Sequence, residues 1–292
     1  MEDVGTLKEN PKYGFSTEEL AALPTVYRED LFRGRVVVVS GAGSGLGKAI
    51  AFLFARLGAT LAICGRDEER LGETAEQLEA LGARVHSRSM TIRDPEQVDA
   101  FISSVWETLG GLDVVVNNAG GQYPQAALDF TVKGWNAVID TNLNGTWYMM
   151  QYAARQWVDR KTSGNIINII ASFWRGMPGI SHTCAARAGV AYLSKSVAIE
   201  WAPHDIRVNC VAPGCVETTA FDLYPAEGAT TFDQANPMLR VGDVQDVAEA
   251  CVYLAAPSGK FITGEVLNVD GGQQLWGDPW PTGRPDHFEL TP

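Results

Sequence analysis

The stretch Val36-Val37-Val38-Val39-Ser40-Gly41-Ala42-Gly43-Ser44-Gly45-Leu46-Gly47-Lys48-Ala49-Ile50-Ala51 decides how the rest of the chain is read. Four valines predict a buried strand, the glycines a tight turn, and the run from Lys48 to Leu53 the opening of a helix. Strand, glycine turn and helix N-terminus in that order make a site for a diphosphate. Glycine lets phosphates approach the backbone, while unpaired helix N–H groups and the helix dipole favour negative charge. A GxGxxG-like string alone is weak evidence; its strand-before, helix-after setting makes it informative. The competing reading is a glycine turn without a ligand. Gly41, Ser44, Gly45, Leu46 and Gly47 are the expected contacts.

Outward from this unit, apolar strand-like runs alternate with amphipathic helices. Strands are predicted at 35–39, 59–63, 84–89, 112–116, 164–170, 205–211 and 265–269. Helices fit at 45–57, 67–81, 95–109, 134–160, 183–202 and 243–255, with Asp94 and Asp243 as N-caps. Such alternation implies an α/β, Rossmann-type doubly wound parallel sheet of about seven strands, with helices on both faces. Ligands then sit beyond the carboxyl ends of the strands. Residues 1–33 read as a polar arm with one short helix after Ser16, 34–272 as a single domain with a substrate flap at 219–237, and 273–292 as a tail. The tail's Trp276 and Trp280 suit burial against this or a neighbouring subunit, or closure over a substrate.

Against 23 Lys plus Arg stand 35 Asp plus Glu, a net charge of −12. That sign disfavours nucleic acid or an anionic membrane as partner, so local donors must hold any phosphate. The five cysteines are scattered without a CxxC pair, which argues against structural zinc and a disulfide framework. No metal site is expected. An acidic start without a signal-peptide layout, and no membrane-length apolar run, predict a cytoplasmic protein.

Where a dinucleotide site reads the adenosine ribose stands Gly65-Arg66-Asp67-Glu68-Glu69. An arginine there pairs with a 2′-phosphate, which favours NADP(H), with NAD(H) possible; the bland reading pairs Arg66 with Glu69 and makes Asp67 a helix cap. Asn117-Asn118-Ala119-Gly120 ends a buried strand with amides that can bond backbone in both directions. Asn142, inside an otherwise apolar helix, is equally a water-relay residue or a satisfied core amide.

Together with Pro213-Gly214, Thr218 and the ending Val269-Asp270-Gly271-Gly272, these features resemble the short-chain dehydrogenase/reductase family over residues 33–272. The resemblance implies a nicotinamide cofactor and a homotetramer. It places Asn118, Ala119 and Gly120 along the cofactor, Thr91 and Ile92 by the adenine, and Val216 and Thr218 by the nicotinamide amide. The family also carries a Tyr-x3-Lys pair whose lysine eases proton transfer by the phenol. Here Thr183 stands at the tyrosine position, Arg187 at the lysine position, and Ile170 or Ala171 at the serine position; none of the eight tyrosines has a lysine four residues later. Asn142 alone remains of the catalytic set.

Candidate replacements are Ser172, with a hydroxyl but no evident base, Thr183, which can hydrogen-bond a substrate oxygen, and Arg187, which can hold the nicotinamide ribose. Tyr123 is a further candidate on the loop after Gly121, and Tyr224 lies on the flap. Tyr192 falls about half a revolution from Thr183 and so reads as core or interface, with Lys195 at the helix margin. Reducing a carbon–carbon double bond conjugated to a thioester leaves an enolate, which tolerates the loss of an acid better than carbonyl reduction does. Asn118–Gln122, Lys133-Gly134-Trp135, Thr141–Thr146 and Cys184–Val190 are similar to the trans-2-enoyl-CoA and 2,4-dienoyl-CoA reductase branch, which implies an acyl-CoA substrate. The arm at Tyr27–Phe32 resembles that of citronellol-type dehydrogenases, keeping an alcohol or carbonyl oxidoreductase open, and a cofactor-binding protein without catalysis is the third reading.

Overall fold

The computed structural model describes residues 12–223 and 231–275. Seven parallel strands run β1 (Val36–Ser40), β2 (Thr60–Gly65), β3 (Val85–Ser89), β4 (Val114–Asn117), β5 (Gly164–Ile169), β6 (Ile206–Pro213) and β7 (Val266–Val269). Their spatial order is β3-β2-β1-β4-β5-β6-β7, so the direction of winding reverses between β1 and β4. The expected doubly wound sheet is the observed one, and a crevice for ligand opens where the order reverses.

The valine run shows why both faces are covered. Val37 and Val39 point to one side, with α1 (Thr17–Ala22), α2 (Gly45–Arg56), α3 (Glu68–Ala80) and α8 (Val244–Ala255). Val36 and Val38 point to the other, with α4 (Pro95–Leu109), α6 (Thr146–Arg160) and α7 (Ser181–Trp201). A strand with side chains alternating between two dry layers must be apolar at every position.

The single helix expected over 134–160 is two. α5 (Val132–Ile139) passes through a wider π-type turn at Asp140–Gly145 before α6 begins. Thr146 Oγ1 donates to the Asn142 carbonyl inside this turn, at 3.0 Å. The arm is not a free appendage either. Ser16 and Glu19 form a capping box, Leu20 and Phe32 are buried in the core, and Tyr27 donates to the Glu249 carbonyl on α8. Asp94 and Asp243 cap α4 and α8 as expected. Of the flap, the turns Thr219–Leu223 and Phe232–Ala235 are described; Tyr224, Trp276 and Trp280 lie outside the described residues.

Candidate active site

Beyond the carboxyl ends of the strands lies a cavity of about 730 Å³. Gly41, Ser44, Gly45 and Leu46 line one end. Gly41 and Gly45 hold φ of +68° and +53°, and a Cβ on Gly41 would fall 2.8 Å from the Ala119 Cα. Ser44, the N-cap of α2, makes no side-chain cap hydrogen bond, so first-turn N–H groups keep their donor capacity. Gly47 does not line the cavity. A Cβ there would sit 2.2 Å from the Gly41 carbonyl oxygen and 2.4 Å from Asn118 Nδ2, so this glycine serves close packing of α2 rather than ligand contact.

The side chain of Asn118 bonds backbone as a donor, not in both directions. Its Nδ2 donates to the carbonyls of Ser40 and Gly41, both at 3.1 Å, and Ser40 Oγ accepts from the Asn118 and Ala119 N–H groups. β4 is thereby pinned to the glycine turn, and Asn118, Ala119 and Gly120 form one wall. Arg66, Thr91 and Ile92 line the same cavity. Asp67 caps α3 by accepting from Arg70 N, but the pairing of Arg66 with Glu69 does not occur among the described residues. Arg70 instead meets Asp67 at 3.4 Å and itself lines the cavity. Its signal was available in the spacing: four residues beyond Arg66, at the first turn of a helix.

At the opposite end the cavity meets the first turns of α7. Thr183 is 2% exposed and its Oγ1 has no hydrogen-bond partner among the described residues. Arg187, one helical turn on, is 7% exposed, with Nη1 unpartnered among the described residues. Burial pushes its pKa down to about 10, against a smaller upward pull from Cys210. Its guanidinium lies over Gly120, where a Cβ would fall 2.1 Å from Nη2. His182 is fully buried and accepts from Thr183 N at 2.8 Å, with Phe130 stacked 4.4 Å away. Burial lowers its pKa.

Ser172 also lines the cavity, and the expectation that it lacks a basic partner is corrected here: Oγ donates to Asp270 Oδ2 at 2.8 Å. Asp270 further accepts from Gly272 N and Gln274 N. Ninety-eight residues separate the pair, and sequence spacing holds no trace of it. Asn142 lines the cavity with both ends of its amide engaged by Gly121, Oδ1 accepting from its N–H and Nδ2 donating to its carbonyl at 2.9 Å each. Oδ1 and Nδ2 of this side chain each have a partner within the protein. Pro213, Gly214, Val216 and Thr218 complete the wall with Gln273, whose Oε1 accepts from Cys215 N.

Tyr123 is not part of the lining. It packs edge-on against His182 and Phe130. Tyr192 is 76% exposed, which removes its core reading, and Lys195 is exposed. Among the described residues no cluster suits a metal ion, and no helix is long and apolar enough to cross a membrane.

Residues 41–274 match the family model described as enoyl-(acyl carrier protein) reductase. The chain belongs to the short-chain dehydrogenase/reductase family. A Bacillus subtilis relative named "Probable 2,4-dienoyl-CoA reductase [(2E)-enoyl-CoA-producing]" is 35% identical over 252 residues, covering 85% of this chain and 98% of its own. The Arabidopsis thaliana peroxisomal 2,4-dienoyl-CoA reductase is 33% identical over 86% of this chain and 87% of its own. Among solved structures, the citronellol catabolism dehydrogenase AtuB of Pseudomonas aeruginosa PAO1 superposes with a TM-score of 0.77 at 34% identity, over 86% of this chain and 99% of its own. Short-chain dehydrogenases/reductases are oxidoreductases that use NAD(H) or NADP(H), and the residues here fit such a group. The uncapped α2 N-terminus suits a diphosphate, and the orphaned Arg187 Nη1 suits a polar ligand in a buried wall.

Proposed function

We propose that this chain is an NADP(H)-dependent reductase of enoyl or dienoyl acyl-CoA thioesters. One observation carries the reading: two buried donors, Thr183 Oγ1 and Arg187 Nη1, lack partners among the described residues, at the positions the resemblance equates with the family's phenol and ammonium. The bound dinucleotide would supply a hydride. Hydride added at the β carbon would place negative charge on the thioester oxygen, where a hydroxyl beside a guanidinium would stabilise the enolate, and the α carbon would then take its proton from water. Ser172 is less suited to that donation, because its one hydroxyl proton is committed to Asp270. Asn142 acts by fixing Gly121, which keeps the β4 wall in place beside Gly120.

Arg66 and Arg70 together support the preference for NADP(H), since two guanidinium groups at the adenosine end suit a 2′-phosphate. Names of the dienoyl-CoA reductase relatives support the acyl-CoA substrate class. The test mixes purified protein with NADPH and a medium-chain trans-2-enoyl-CoA or 2,4-dienoyl-CoA, following absorbance of the reduced cofactor. NADPH consumption is the expected outcome; bound NADPH without consumption of either thioester ends the proposal. The similarity to AtuB favours a second reading, a terpenoid-type alcohol or carbonyl oxidoreductase. Turnover of such alcohols or aldehydes, with the thioesters inert, selects it.

A further inference from the structure

We infer that the N-terminal arm is a positioning element of the cofactor cavity, holding the base of the flap against the glycine turn and so governing how fast the dinucleotide leaves. The inference rests on the dinucleotide reading given above. Its starting point is Gly14, whose N–H donates to Glu217 Oε1 at 2.9 Å across 203 residues of sequence. Gly14 has φ of +81°, and a Cβ there would lie 3.5 Å from the Thr218 Cα, so the arm runs directly along the flap base. The Tyr13 ring lies 5.6 Å from that of Phe221, and Phe221 meets Phe232 edge-on at 5.0 Å. Thr218, Phe221 and Phe232 all line the cavity.

The same arm is anchored to the opposite wall. Lys48 Nζ, in the first turn of α2, donates to Thr17 Oγ1 at 3.1 Å, and Arg56 near the end of α2 donates to the carbonyls of Leu20 and Leu23. One segment therefore spans from the helix that receives the diphosphate to the loop that faces it. The two walls come close: a Cβ on Gly45 would fall 3.7 Å from the Thr218 Cβ. A dinucleotide seated at the glycine turn leaves by parting Gly45 from Thr218, and the contacts of Tyr13 and Gly14 oppose that movement.

The test is stopped-flow release of NADPH, displaced by excess NADP⁺ and read by its fluorescence, from wild type, Tyr13→Ala, Tyr13→Phe and Glu217→Ala. One aromatic contact or one hydrogen bond to a carboxylate corresponds to about a three- to tenfold faster release on removal. Tyr13→Ala and Glu217→Ala are expected to show that acceleration with the melting temperature of the free protein unchanged, and Tyr13→Phe to release at the wild-type rate. Where Tyr13→Ala also lowers the melting temperature, Glu217→Ala, which removes only an acceptor, decides. Release within twofold of wild type in both variants overturns the inference while leaving the dinucleotide reading intact. A wild-type protein that binds no dinucleotide overturns both.

Discussion

Thr183 and Arg187 differ in what their burial costs. A threonine hydroxyl without a partner forfeits a modest hydrogen bond, so Thr183→Val leaves the fold intact and removes the donor. We expect kcat on an enoyl thioester to fall about 10²- to 10³-fold with the affinity for NADPH unchanged, and Thr183→Ser to retain most activity. Steady-state kinetics with a fluorescence titration of NADPH checks this. Arg187 is the costlier group, a buried cation without an ion-pair partner among the described residues. Burial holds its pKa at about 10, below the ordinary guanidinium value. Between those values the unfolded chain binds a proton that the folded chain has released, so this group's contribution to stability rises with pH across that window, and its penalty is complete below it. Arg187→Met should accordingly raise the melting temperature of the free protein by about 2–4 °C at neutral pH, while weakening dinucleotide binding at least about tenfold. Differential scanning fluorimetry with and without NADPH measures both, and a lowered melting temperature would contradict the penalty. His182 carries the same sign, in a window near neutrality. Its folded pKa lies below 6.5, so the unfolded chain takes up the proton first and stability is lost as pH falls from 6.5 towards the folded value. Urea unfolding near pH 7.5 and 5.5 should show a smaller difference for His182→Phe than for wild type. A residual slope is expected from His86, shifted downward by burial and by Arg88.

At the scale of elements, the strands and the glycine turn were legible because they depend on local pattern. Val36–Val39 is apolar throughout because both of its faces are dry, and Gly41 and Gly45 are glycines because their φ is positive. Gly47 reads as a ligand contact from spacing alone, yet what it requires is room for α2 beside Gly41 and Asn118. Gly47→Ala should therefore disrupt the β1–α2 unit itself, lowering the melting temperature before cofactor is added, whereas Asp243→Ala, which removes only a cap from α8, should cost about 1 kcal/mol and leave NADPH binding alone. Chemical denaturation of the two variants separates these outcomes. The turn at Asp140–Gly145 was not legible, since hydrophobic periodicity does not distinguish a wide helical turn from a regular one. Nor was the Ser172–Asp270 hydrogen bond, which joins the loop after β5 to the residue after β7. Contacts between distant strand ends are set by topology, and one sequence records topology only indirectly.

For the whole molecule, the exposed apolar residues of α7 matter most. Tyr192 and Ile199 are 76% and 79% exposed on α7, and Val158 on α6 is 37% exposed. Such a face on a chain with net charge −12 suits burial against a second copy, consistent with the homotetramer that the family resemblance implies. Light scattering should give an assembly for wild type and a smaller species for Ile199→Asp; an unchanged mass would remove α7 from the interface. The arm has a different consequence, one concerned with time rather than affinity. Its partners on the flap and on α8 are 203 and 222 residues later in the chain. Residues 17–23 find Lys48 and Arg56 on the nearby α2, whereas Gly14 and Tyr27 wait for Glu217 and Glu249. The arm is thus fixed in two stages, its short-range anchor on α2 first and its long-range contacts last.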